Sequence, residues 1–264
     1  MIPLLTTRDL SIQFGGLTAV NQVEFRIGSG EAVGLIGPNG SGKTTFFNLL
    51  TGIYRPTQGR IEYGGNNVVG LPAFQIARRG IARTFQNSRL FLNLSILDNV
   101  LSGMHAHQDS NWFDAIFRRR YVGRELRQGV EKALELLGLF SRELAEDCYK
   151  KAADLPLGDR RKIEICRALA SRPKLLLLDE PSAGMSPEET EDLMEDIRRV
   201  RDQKKEMAII LIEHDMMVIR EVAERVIVLN YGRKIAEGTF AEISRNEGVL
   251  EAYLGREESC VAPG

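Results

Sequence analysis

Residues 37–45 read Gly37-Pro38-Asn39-Gly40-Ser41-Gly42-Lys43-Thr44-Thr45. They fit G-x-x-x-x-G-K-[ST], with Gly37, Gly42, Lys43 and Thr44 in the four fixed places. Each residue type there has a task that others do badly. Glycines let successive backbone N–H groups turn inward toward an anion. Lys43 sets a positive charge against the outer phosphates. Thr44 offers a hydroxyl to Mg²⁺, an ion that keeps several waters and sits against phosphate oxygens. The apolar run Glu31-Ala-Val-Gly-Leu-Ile36 predicts a buried strand before the loop, and Thr44-Thr-Phe-Phe-Asn-Leu-Leu50 predicts a helix after it. A phosphate in the loop meets the positive end of that helix. A chance Gly-rich turn would lack this strand–loop–helix frame.

The chain has 264 residues, enough for one large core or two modest ones. Hydrophobic residues make up 43% and charged residues 27%, which suits a soluble globular protein. Lys plus Arg number 35 and Asp plus Glu 36, for a net charge of −1. That balance argues against a protein whose main task is gripping nucleic-acid phosphates. No apolar run is long enough to span a bilayer, and the first residues lack the features of a secretory leader. Cys148, Cys166 and Cys260 are odd in number, widely spaced and without C-x-x-C. Free thiols in a reducing compartment are expected, and no structural zinc site.

Alternation over Leu10–Phe14 and Val23–Ile27 predicts half-exposed strands joined through Gly15-Gly16. Arg60–Tyr63 predicts another, closed by Gly64-Gly65. Together they read as a small antiparallel sheet on the core. From about Leu90 to Asp154 the spacing becomes helical, with one start at Ser95 and an amphipathic stretch from Glu125 to Leu137. This reads as a helical subdomain inserted into an α/β core. Leu175–Leu178 and Met207–Ile212 then read as strands buried on both faces. Pro187–Gln203 reads as an amphipathic helix with Pro187 in its first turn. Arg225–Asn230 and Arg233–Glu237 read as a hairpin around Tyr231-Gly232.

Leu175-Leu-Leu-Leu-Asp179-Glu180 is the second informative stretch. A buried strand delivers Asp179 to the floor of the phosphate site, where it can hold Mg²⁺. Glu180 can turn toward the γ-phosphate and act on an attacking water. We expect these carboxylates on a strand adjacent to the one that feeds the loop. His214, after the strand Met207–Ile212, falls near Glu180 if the two strands are parallel neighbours. It can then bond the γ-phosphate and align the water. Gln86, in Thr84-Phe-Gln86 at the core–helical junction, can reach the ion or the water.

With these segments in place the chain resembles the nucleotide-binding subunits of ABC transporters, from about Leu4 to Gly255. The resemblance implies an α/β fold: a P-loop NTPase core with an antiparallel β subdomain and an inserted helical subdomain. It implies one ABC ATPase domain over 1–264. The RecA-like core with its β subdomain takes 1–86 and 160–255, the helical subdomain 87–159, and a loose tail 256–264. In the family's terms Gly37–Thr45 matches the Walker A loop, Gln86 the Q-loop, Leu175–Asp179 Walker B, Glu180 the catalytic glutamate and His214 the switch histidine. Ser182–Met185 matches the D-loop. Phe14 lies where the family often has an aromatic that stacks on adenine, although a core role is an equal alternative. The family's L-S-G-G-Q signature corresponds to Leu155-Pro-Leu-Gly158-Asp159, before a helix expected to start near Arg161. Pro156 replaces the usual serine and has neither hydroxyl nor N–H, which weakens this segment's hold on a partner's ATP and hints at an asymmetric pair.

Within the family the chain looks most like the larger ATPase subunit of branched-chain amino-acid importers. The segments Phe14–Val20, Ala82–Asn87, Gly158–Arg161, Ile212–Met216 and Glu251–Gly255 carry that likeness. Urea and amide importers and the lipopolysaccharide-export ATPase share much of it. The implied ligands are ATP and Mg²⁺, with Thr44, Gln86 and Asp179 serving the ion. The implied partners are membrane permease subunits, a second ATPase subunit, like or unlike, and indirectly a periplasmic or extracellular solute-binding protein. No nucleic-acid partner is expected, and the implied place is the cytoplasmic face of the cell membrane. A P-loop small-molecule kinase and a soluble ABC module acting on ribosomes or DNA are the readings from other classes. The stretch Trp112-Phe-Asp-Ala-Ile-Phe117 with Arg118–Arg120 reads as an amphipathic helix on its own subdomain, or as a membrane or partner contact. His105 and His107 read as loop histidines rather than a metal site.

Overall fold

The computed structural model describes residues 3–86, 89–107 and 119–254. The Trp112–Phe117 stretch, Arg118, Cys260 and the tail from 255 lie outside them, as do the side chains of His107, Arg119 and Arg120.

β1 (Leu5–Phe14) and β2 (Leu17–Ile27) pair antiparallel across the Gly15-Gly16 turn. With β4 (Gln58–Tyr63) and β5 (Asn66–Asn67) they form a four-stranded sheet in the order β2-β1-β4-β5. The second sheet contains β3 (Ala32–Ile36), β6 (Ile81–Arg83), β7 (Leu175–Asp179), β8 (Ala208–Ile212), β9 (Arg225–Asn230) and β10 (Arg233–Gly238). Its order is β10-β9-β3-β8-β7-β6, parallel throughout except for the β9–β10 hairpin. Tyr231 (φ 45°) and Gly232 (φ 75°) turn that hairpin, both at positive φ as a two-residue loop matched to strand twist requires.

The continuous apolar runs of β3, β7 and β8 follow from a sheet covered on both sides. Val33, Leu35, Leu177 and Ile210 face a core shared with the antiparallel sheet and with Phe46 and Phe47 of the helix Lys43–Leu50. Ile36, Leu176, Leu178 and Ile209 face a second core built with helices. Three of those helices pack on one another: Ile96–Gly103, Arg119–Phe140 and Leu157–Ala170. The Ser95 side chain caps the first by accepting from the Asp98 N–H. Pro187–Gln203 opens on a reciprocal Ser186–Glu189 capping box, a device contributing about 1 kcal/mol.

Two expectations need correction. β7 does not lie beside β3; β8 stands between them. Each run is apolar on both faces and carries no mark of which neighbour it takes. The helix after the signature-like segment starts at Leu157, not near Arg161. Pro156, with φ fixed at −63°, occupies the N-cap and presets the first turn. This helix therefore crosses the boundary between 159 and 160. β6 and the helix Ala73–Arg78 escaped the pattern reading because three and six residues are too short to show a period.

Candidate nucleotide site

The loop after β3 is shaped by its glycines. Gly37, Gly40 and Gly42 have φ of 150°, 78° and 103°. A Cβ on Gly37 would stand 2.1 Å from the Leu229 carbonyl oxygen, and one on Gly42 2.4 Å from that of Ala19. The loop is thus wedged between the ends of β9 and β2. Gly42→Ala should lower the unfolding free energy by about 1–3 kcal/mol. A urea midpoint unchanged from the parent would contradict this steric account. Gly42 also N-caps the helix Lys43–Leu50 without any side-chain cap, which leaves first-turn N–H groups for an anion.

Lys43 is buried, and its Nζ donates to the carbonyls of Gly37 (2.7 Å) and Pro38 (3.1 Å). Burial pushes its pKa down, while the charges of Glu180 and Asp179 pull it up. The two carboxylates are therefore within electrostatic reach of the loop. Ser41 Oγ is buried without a hydrogen-bond partner. Asn39, Gly40 and Thr44 are exposed, and Pro38 and Thr45 are half-buried.

Asp179 ends β7. Its Oδ2 accepts from Arg83 Nη2 at 2.6 Å, and Arg83 Nη1 donates to Asn48 Oδ1 at 2.6 Å. Burial pushes the Asp179 carboxyl up, and the Arg83 guanidinium works against that. Asp179 Oδ1 is buried and has no partner. An unsatisfied anionic oxygen is costly unless something completes it, and Thr44, in the first turn of the helix Lys43–Leu50, is exposed. This donor set, a carboxylate oxygen and a hydroxyl, fits a hard divalent cation.

Glu180 follows in a left-handed conformation (φ 49°), held by its N–H bond to Ile212 O at 2.9 Å. Such backbone costs of order 1–3 kcal/mol and persists where its surroundings over-determine it. Here they do so twice more. Gln86 Nε2 donates to Glu180 Oε2 at 2.7 Å, and His214 Nε2 lies 2.8 Å from Oε1. Gln86, Glu180 and His214 are thus one hydrogen-bonded group, assembled from the ends of β6, β7 and β8.

Phe14 is 44% exposed at the end of β1, with the Tyr54 ring edge-on at 5.2 Å. The core alternative is excluded. Leu155 and Asp159 are half-buried and Gly158 is buried. A Cβ on Gly158 would meet Glu189 Oε1 at 3.1 Å, and one on Gly184 would meet the Leu157 side chain at 3.2 Å. The signature-like segment therefore packs on the turn Ser182–Met185 and the helix beyond it.

The sequence family described as "ABC transporter" matches residues 20–183. The chain belongs to the ABC transporter family. A second family, "Branched-chain amino acid ATP-binding cassette transporter", matches residues 233–259 of this ABC ATPase. A high-affinity branched-chain amino acid transport ATP-binding protein of Pseudomonas aeruginosa is 40% identical over 253 residues, 96% of this chain and 98% of that one. A lipopolysaccharide export system ATP-binding protein of Escherichia coli is 34% identical over 253 residues, with the same coverage. Among solved structures, the ADP conformation of an ABC transporter's ATP-binding cassette superposes with a TM-score of 0.82 at 27% identity, covering 97% of this chain and 100% of that one. The chain is thus a nucleotide-binding ATPase subunit, and the kinase reading falls. Among the described residues, no helix is long and apolar enough to cross a membrane, and no cluster of His, Cys, Asp and Glu is arranged to hold a metal ion.

Several residues of the ABC ATPase site were not read from its sequence. Arg83, on the neighbouring strand β6, grips Asp179 and is itself held by Asn48. Glu213 is buried and accepts from Ser182 N–H and Oγ, both at 2.8 Å, and from the His214 N–H at 3.2 Å. It ties the Ser182 turn to the His214 turn. Its only sequence signal is a carboxylate directly after a buried strand. Arg161 bonds the backbone carbonyls of Phe85 and Gln86, a contact no spacing rule foretells.

Proposed function

We propose that this ABC ATPase hydrolyses ATP to drive an importer of branched-chain amino acids. The observation that carries the reading is agreement between two parts of the chain. The nucleotide core matches the general family, and residues 233–259 match the branched-chain amino acid subgroup. The 40% identity to a branched-chain amino acid transport protein, against 34% to a lipopolysaccharide-export one, points the same way.

In this reading residues 37–45 wrap the phosphates. The inward N–H groups hold phosphate oxygens, and Lys43 leaves the carbonyls of Gly37 and Pro38 to meet phosphate charge. Phe14 covers the base. Mg²⁺, when bound, neutralises charge building on the phosphates. Asp179 Oδ1, Thr44 and Gln86 are the residues that would hold it. Glu180 is the base that takes a proton from the attacking water. Gln86 and His214 hold its carboxylate from both sides, so the acceptor oxygen is aimed before substrate arrives. Leu155, Gly158 and Asp159, at the mouth of the helix Leu157–Ala170, face the nucleotide of a second ATPase subunit. The chain works beneath permease subunits on the inner face of the membrane, and a solute-binding protein supplies them from outside.

The test is reconstitution. Vesicles holding branched-chain amino acid permease subunits that bind this chain, with their binding protein, should accumulate leucine, isoleucine or valine only when the chain and ATP are present. Uptake of urea or an amide instead, or stimulation of the ATPase by lipopolysaccharide alone, would replace the substrate assignment.

A further inference from the structure

Arg161, Glu164 and Arg167 stand at intervals of three on the helix Leu157–Ala170, so they share a face. Arg161 and Glu164 are buried there and need partners. Their partners lie on the connection that follows β6. Arg161 Nη1 donates to Phe85 O at 3.1 Å and Nη2 to Gln86 O at 2.6 Å. Glu164 braces Arg161 at 3.3 Å and accepts the Arg89 N–H at 3.1 Å. Arg167 donates to Arg89 O at 2.6 Å. The guanidinium groups of Arg83 (5.0 Å) and Arg89 (4.2 Å) both lie over the Phe85 ring. The backbone of Gln86 is thus gripped by a helix whose first turn carries Gly158, while its side chain reaches Glu180.

Building on the ATPase reading above, we propose that Arg161 is a positioning residue for hydrolysis. Its planar fork sets the backbone of Gln86, and thereby the amide that holds the Glu180 carboxylate. Arg161 lies one turn beyond Leu157, where the helix starts. A tilt of that end shifts Gln86 as well, so the signature-like segment and Glu180 move as a linked pair. A lysine cannot substitute, because a point charge does not satisfy two carbonyls in one plane as a guanidinium does.

The test is a double-mutant cycle on the full-length chain. Arg161→Lys, Arg161→Gln, Gln86→Ala and the double variant Arg161→Gln/Gln86→Ala are assayed for steady-state hydrolysis and equilibrium ATP binding. Both single Arg161 variants should lower kcat by about 10- to 100-fold, the scale of a small misplacement of a catalytic group. Their ATP Kd should stay within about twofold of the parent. In the Gln86→Ala background, Arg161→Gln should cost less than about a further twofold, because the residue it acts through is gone. Losses that multiply independently would overturn the proposal, as would ATP affinity falling in step with kcat. If Arg161→Gln fails to fold, the same cycle with Arg161→Lys decides. An active parent with an unaltered kcat in Arg161→Lys refutes this inference alone. A parent that binds no ATP refutes the ATPase reading beneath it.

Discussion

Glu180→Gln should reduce the rate of ATP hydrolysis by about 100- to 10,000-fold, the range lost with a general base. The substitution keeps the shape of the side chain. An amide oxygen can still accept from Gln86 or face His214, so the group made by Gln86, Glu180 and His214 stays assembled. What is lost is the ability to take a proton. ATP affinity should hold or rise, because a negative charge close enough to raise the Lys43 pKa has been removed. Phosphate release and calorimetric ATP binding on the same preparation separate the two effects. Turnover at the parental rate would remove Glu180 from the base role and leave the proton without an acceptor at this position.

Lys43→Ala carries the second large effect. Among the described residues, the buried Lys43 ammonium donates to the Gly37 and Pro38 carbonyls of its own loop. A phosphate oxygen is a better partner, since hydrogen bonds between charged groups are worth about 1.5–3 kcal/mol each. Losing one should weaken ATP binding by about 10- to 150-fold. Stability should change little, because the same substitution also removes a buried charge whose desolvation already lowers its pKa. Calorimetry reads the affinity and urea denaturation the stability. Unchanged affinity would refute the phosphate assignment of residues 37–45. A large loss of stability would show that Lys43 serves the fold instead.

How much of the site could be read in advance depended on how local each signal is. Residues 37–45 were legible because every element of the task, bend, charge and hydroxyl, lies within nine consecutive residues. Asp179, Glu180 and His214 were legible because each stands at or just beyond the end of a buried strand, and parallel strands deliver their carboxyl ends to one edge. The Ser95 cap, the Pro187 start and the Tyr231-Gly232 turn were legible because a single residue type sets the local backbone there. Arg83, Asn48, Arg161 and Glu213 were not. Their partners are 96, 35, 75 and 31 positions away along the chain, and nothing local says which backbone or carboxylate will come near.

The sequence by itself determined that a phosphate-binding loop sits between a buried strand and a helix, and that carboxylates and a histidine close later strands. Short-range sterics and periodicity suffice for that. Only the tertiary structure decided that β8 lies between β3 and β7, that the helix carrying Gly158 starts at Leu157, and that Asp179 is shared with Arg83. Strands apolar on both faces are interchangeable as sequence, so their order is chosen by the packing of the whole sheet. The long guanidinium side chains reach whatever that packing brings beside them.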